Sequence, residues 1–239
     1  MEWAEVQRRW RMLEAACLLV VSLALFATMA LAMAVIPPLV IFGSLYLALA
    51  VLVYRMPANK WVAGVAGVLA IGGILSNLPF LVEDLSHPAS WGSFIPNSIS
   101  VVAGIGAAVA AVLSYRASST SLVRPTSMAL VGVSAALVVL SVVLTTTGSS
   151  DEPKMGDVRV SAEAFKYPEA LTAKSGLVGL LVENKDAFHH TFVIEGQDAK
   201  VDMPASKARR LEVNLKAGKY TYLCDVPGHE TMTGTLTVQ

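Results

Sequence analysis

Four side chains near the C-terminus have the types and spacing to hold a transition metal. Cys224, His229 and Met232 lie in Cys224-Asp225-Val226-Pro227-Gly228-His229-Glu230-Thr231-Met232, and His190 stands upstream in Asp186-Ala187-Phe188-His189-His190-Thr191-Phe192. Singly, each has an ordinary structural reading: a small buried Cys, a surface His, a core Met. Together they supply a thiolate, two imidazoles and a thioether. Two His and one Cys in a trigonal arrangement, with a weak axial Met, form the donor set of a blue-copper electron-transfer centre. Thiolate and imidazole also suit zinc, which stays open as an alternative.

These side chains need strands and a turn to converge. In Gly218 to Cys224 the alternation puts Tyr220, Tyr222 and Cys224 on one face and Thr221 and Leu223 on the other. Pro227 and Gly228 then turn the chain, returning His229 and Met232 towards the sulfur. Upstream, His190 shares its face with Phe192 and Ile194, so His189 points the opposite way and is expected to be exposed. Alternating segments at 158–162, 177–183, 191–195, 210–215, 220–224 and 233–238, with turns at Ser175-Gly176 and Ala217-Gly218, predict a small all-β sandwich.

From about 157 to 239 the sequence resembles a cupredoxin, the family of plastocyanin, azurin and amicyanin. The resemblance rests on the segment from Asn184 to His190, the Gly-x-Tyr-x-Tyr-x-Cys strand, the Cys-x4-His-x2-Met loop and the closing Gly234-Thr235-Leu236-Thr237-Val238 strand. Asn184 stands six residues before His190, as in plastocyanin-like members. The resemblance implies a cupredoxin sandwich with one mononuclear type 1 copper, its ligands His190, Cys224, His229 and Met232. It also implies an electron carrier rather than an enzyme, passing electrons at the exposed edge of His229 with Val226 and Pro227 in the docking patch. The sequence departs from the family at Thr191, where Asn is common, and in the short gap between His229 and Met232. The related binuclear copper domain needs a second Cys in this loop, and none is present.

The remainder is a different kind of chain. Hydrophobic residues make up 54% of the 239 and charged residues 15%, concentrated in the C-terminal third. That asymmetry predicts a membrane region and a water-soluble domain. Eighteen basic residues balance eighteen acidic ones, and no basic stripe suggests nucleic acid. The two cysteines, Cys17 and Cys224, fall in different parts, so no disulfide is expected.

Apolar runs predict a bundle of about five transmembrane helices at 13–36, 38–55, 61–82, 96–115 and 126–147, the first two divided by Pro37-Pro38. Small residues such as Ala63, Gly64, Gly67, Gly104 and Ala107 pattern them for close packing. The first run is longer than the 7–15 apolar residues of a signal peptide core, so an uncleaved helix is expected. Arg8, Arg9, Arg11, Arg55, Lys60, Arg116 and Arg124 fall on one side if five helices cross, which places the N-terminus in the cytoplasm. The domains are then a multi-pass region over 1–148, a polar linker over 149–156 and the copper domain over 157–239, outside the cell membrane. None of the four histidines lies in a predicted span, which excludes a bis-His haem there, and ionisable residues are missing from helix centres.

The expected function is single-electron transfer by a membrane-anchored blue-copper protein, with the lipid bilayer and a redox protein as partners. No small-molecule substrate is expected, because four protein ligands leave no open position. One alternative is a copper-bearing subunit of a larger respiratory or oxidase complex, motivated by five helices where an anchor needs fewer. Another is copper uptake or storage, suggested by Met29 and Met33 one helical turn apart.

Overall fold

A computed structural model of the chain describes residues 2–116 and 119–239. Six helices precede eight strands: α1 (Glu2–Ala32), α2 (Pro37–Arg55), α3 (Lys60–Ser76), α4 (Leu78–Ser86), α5 (Trp91–Arg116) and α6 (Val123–Thr147). The strands are β1 (Val158–Ala162), β2 (Ala170–Ala173), β3 (Gly176–Asn184), β4 (His190–Ile194), β5 (Lys200–Met203), β6 (Ala208–Leu215), β7 (Gly218–Leu223) and β8 (Thr233–Val238). The chain divides into a helical unit, Met1–Leu85 with Phe94–Leu140, and a β unit, Ser86–Ser93 with Ser141–Gln239.

Among the described residues, four helices are long and apolar enough to cross a membrane, and a bent pair makes a fifth if counted as one span. Pro37 and Pro38 open α2, where a missing N–H leaves no helical bond unmade. Asn59 caps α3, its side chain accepting from the amides of Trp61 and Val62. The third expected helix is broken in two. Asn77 turns its amide back onto the Gly73 carbonyl at 2.9 Å, and Pro79 has no N–H to continue the ladder. The chain restarts as α4 at 66° to α3.

Small residues do set the packing distance. A Cβ on Gly43 would meet the Phe26 ring at 2.9 Å, and one on Gly67 would meet the Ala111 Cβ at 2.8 Å. At one end Arg11 donates to the Asn59 carbonyl at 2.9 Å, its guanidinium lies 5.3 Å from the centre of the Tyr115 ring, and the Tyr115 hydroxyl bonds the Lys60 carbonyl. The segments carrying Arg11, Lys60 and Arg116 therefore share that end.

One expectation needs correction. The helix expected to start at residue 13 starts at Glu2, because the first turns are amphipathic: Val6 and Trp10 are buried and Arg9 pairs with Glu5. Glu14 therefore lies well inside α1. It is fully buried, and neither carboxylate oxygen has a hydrogen-bond partner among the described residues.

The β unit is a two-sheet sandwich, one sheet ordered β1-β3-β6 and the other β2-β8-β7-β4-β5. β1 runs parallel to β3 and β2 parallel to β8; the other pairs are antiparallel. The core holds Val160, Leu180, Val182, Phe192, Ile194, Tyr222 and Leu236, with Cys224 and Met232 in the same cluster. These are the alternate positions of their strands, which is why one face of each sheet is apolar. Strands β2 and β5 were not expected. The loop expected over 83–95 is shorter, since α4 runs to Ser86 and α5 begins at Trp91.

Candidate metal centre

Three of the four expected ligands converge. The nitrogens and sulfur that His190, Cys224 and His229 can offer lie within 4.8 Å of one another. His190 Nδ1 is 3.1 Å from His229 Nδ1, and Cys224 Sγ is 3.6 Å from His229 Nδ1.

Local structure places each one. β4 aims His190 inward with Phe192 and Ile194, all fully buried. Cys224 follows the last residue of β7, on the buried face it shares with Tyr222. The His229 amide then bonds the Val226 carbonyl at 3.0 Å across Pro227-Gly228, with Gly228 at φ 89. Pro at the second and Gly at the third position is the chemistry of a type II turn, whose third residue needs positive φ. The Met232 amide bonds the His229 carbonyl, and the Cys224 amide bonds the Met232 carbonyl, each at 2.9 Å. Two turns thus fold the loop back on itself. Met232 is fully buried in the cluster that holds Cys224.

Second partners orient these groups. His190 Nε2 lies 2.9 Å from Asp186 Oδ2, which leaves Nδ1 to face His229 and Cys224. Asp186 also accepts the amides of Ala164 and Phe165, at 2.8 and 3.0 Å, both residues in the left-handed region. The Phe165 ring stands edge-on to both imidazoles, with centroids 5.4 Å from His190 and 5.0 Å from His229. Asn184 is buried and donates to the carbonyls of Phe188 and Met203 while accepting the Asp186 amide. It ties the His190 loop to the end of β5.

Thr191 ties the start of β4 to the loop after Cys224. Its Oγ1 accepts the Asp225 amide at 2.9 Å and donates to Asp225 Oδ1 at 2.7 Å. The same oxygen is 3.5 Å from Cys224 Sγ. With a single hydroxyl proton turned to the carboxylate, the Thr191 amide, 3.4 Å from the sulfur, is the steady donor to it.

Burial alone would push the Cys224 thiol up, but bonds from His190, His229 and the Thr191 amide hold it down at about 5. It is a thiolate at neutral pH. Burial opposes charge on His190 too, yet the Asp186 carboxylate and Cys224 sulfur raise its pKa above the ordinary value.

Two sequence readings are corrected. His189 is 4% exposed, not at the surface. Its ring stacks on His87 with centroids 3.6 Å apart, and burial, then the neighbouring imidazole of His87, push its pKa down to about 3. Val226, expected in a surface patch, is 7% exposed and part of the core, whereas Pro227 is exposed. Asp186 and Phe165 were not singled out from sequence. An Asp four residues before His190 was the available signal for the first; nothing local marked Phe165, which reaches the site from another loop.

A family model described as the cupredoxin-like domain matches residues 133–238. The C-terminal part of the chain is a cupredoxin-like domain. Solved structures of amicyanin variants resemble it: two reduced forms, 24% and 26% identical, cover 38% of this chain and 90% of their own, each with a TM-score of 0.32. No curated protein matches the sequence. Both cysteines of the chain are free, Cys17 in the helical unit and Cys224 in the cupredoxin-like domain.

Proposed function

We propose that the cupredoxin-like domain holds one mononuclear copper ion between His190, Cys224 and His229, with Met232 as weak axial ligand, and transfers single electrons. The observation that carries this reading is the convergence of two imidazole Nδ1 atoms on a sulfur kept as thiolate. The donor set suits copper, since thiolate, imidazole and thioether select it and a trigonal His, His, Cys site with a distant Met is its electron-transfer form. Copper, when bound, supplies one-electron exchange between its +1 and +2 states.

The protein's part is to hold still. Asp186 fixes the ring and tautomer of His190, and such outer partners raise ligand basicity. The Thr191 amide and the buried surroundings of Cys224 tune the sulfur. Phe165 packs edge-on against both imidazoles and restricts their rings. His229 is partly exposed beside exposed Pro227 and Gly228, which makes its edge the route for electrons to a partner protein.

The helical unit is read as a multi-pass membrane anchor. Counting α3 with α4 as one bent span gives five crossings and puts the basic ends near Arg11, Lys60 and Arg116 on the cytoplasmic side. The copper domain then lies outside the cell membrane.

An absorption spectrum of the copper-loaded full chain tests the central claim. An intense visible thiolate-to-copper band is expected, and Cys224→Ser abolishes it. Metal analysis that returns zinc or no metal overturns the reading.

A further inference from the structure

At the end of the helical unit where Arg11 meets Asn59, a cavity of about 240 Å³ opens between the first turns of α1 and the last turn of α2. Arg8, Arg11, Met12, Val53, Tyr54 and Arg55 line it. Arg8 and Arg11 are three residues apart and share a helix face; Arg55 is the last residue of α2. Arg11 is 1% exposed, and beyond its bond to Asn59 and its place over Tyr115 its Nε has no hydrogen-bond partner among the described residues. Arg9 is ion-paired with Glu5. Glu5 and Glu14 are near enough to feel the charges of Arg8 and Arg11, but among the described residues Arg8, Arg11 and Arg55 have no carboxylate within ion-pair distance, and neither acid lines the cavity.

Three arginines line one concavity, one of them buried with an unused donor, and a cleft lined by charge of one sign favours an anion. The planar guanidinium fork matches the oxygens of a phosphate two at a time. Met12, Val53 and Tyr54 add an apolar wall beside the charges. The volume is below the roughly 300 Å³ at which pockets for drug-sized ligands begin, so a small anionic group fits it better. Basic pockets between membrane helices take phospholipid head groups.

We propose that this cavity binds a phosphate group, carried by an anionic phospholipid or free in solution. The site is independent of the copper centre. It is tested by isothermal titration of the delipidated full chain in uncharged detergent with dihexanoyl phosphatidylglycerol and, separately, with inorganic phosphate. Saturable binding near one per chain is expected, at least about tenfold weaker in the Arg8→Gln/Arg55→Gln double variant, because each loses charge-assisted bonds. Both side chains are exposed, so the helicity and melting of the unliganded variant stay as in the wild type. Binding of the lipid alone identifies a head-group site; binding of inorganic phosphate, alone or in competition with the lipid, identifies the phosphate itself as what is recognised. Absence of saturable binding to both, or a loss under tenfold in the double variant, overturns the proposal.

Discussion

At the scale of single residues, the site depends on groups that never reach the metal position. Asp186 illustrates this. One carboxylate accepts from His190 and from two amides of a loop held in the left-handed region, so it aligns a candidate ligand and pins the segment carrying Phe165. Outer partners of metal-bound His are worth about 10–100-fold in metal affinity. Asp186→Ala is therefore expected to lower copper affinity by about that factor, measured by competition with a chromophoric chelator. Asp186→Asn keeps an acceptor oxygen and should lose less. Equal affinity in all three proteins would mean that the burial of His190 alone orients its ring. The convergence of His190, Cys224 and His229 was legible in the sequence because these types are rare together and the spacing of Cys224 and His229 is local. Asp186 was less so, because an Asp in a loop is ordinarily a turn residue, and Phe165 left no local trace.

Elements show the same division. β1, β7 and β8 were readable from alternation, since only one face of each is buried; β4 was readable from His190, Phe192 and Ile194 on one face, although Thr191 on the other is buried too. β2 and β5 are four-residue strands in which only the last residue, Ala173 or Met203, is buried, so alternation had almost nothing to register. Both sit at the edges of one sheet, and pairing with β8 and β4 makes them strands. The other sheet is clamped at its rim. Asp157, 3% exposed at its side chain, receives Arg210 Nε at 2.8 Å and Nη2 at 2.7 Å, across from β1 to β6. The pair passes over Gly179, where an added Cβ would strike the Asp157 carboxylate. The Arg210 hydrogen bond, chiefly, holds the Asp157 carboxyl down to about 2. An unfolded Asp titrates near ~3.9. The folded value is the lower one, so this stabilisation is complete above the unfolded pKa and is lost as pH falls through about 2. Urea midpoints measured from pH 6 down to pH 2 should fall for the wild type. Asp157→Asn should start lower and fall less steeply, other carboxylates supplying the rest of the slope. Parallel curves would show that the pair adds nothing to acid sensitivity.

At the scale of the whole molecule, the two parts were evident from composition, but the boundary between them was not. The β unit takes in Ser86–Ser93 and the end of α6. The Ala205 amide bonds Ser90 Oγ at 3.2 Å, the Gly92 amide bonds the Ala187 carbonyl at 2.8 Å, and His87 stacks on His189. These are single contacts between residues roughly a hundred positions apart, and no periodicity announces them. The polar stretch before β1 is also committed to the sandwich. The Asp151 amide bonds the Ala208 carbonyl at 3.0 Å, the Ala208 amide bonds Ser150 Oγ at 3.2 Å, and the Arg210 amide bonds Asp151 Oδ2 at 2.8 Å. Residues 149–151 thus lie along the start of β6. A soluble domain beginning at Gly148 keeps these bonds and one beginning at Asp157 loses them. Three partly solvated hydrogen bonds at the low end of their range come to about 1–2 kcal/mol. For a domain of this size each kcal/mol moves the melting point by roughly 4–8 °C. The shorter protein should melt lower by roughly 4–16 °C on those figures, read by circular dichroism on metal-free samples so that copper binding does not mask it. Both lack Ser90 and His87, so each should also melt below the same sandwich in the full chain. Equal melting of the two truncated forms would mean that water replaces the bonds along β6 at no cost, and that the stretch before β1 is a tether with no share in the fold.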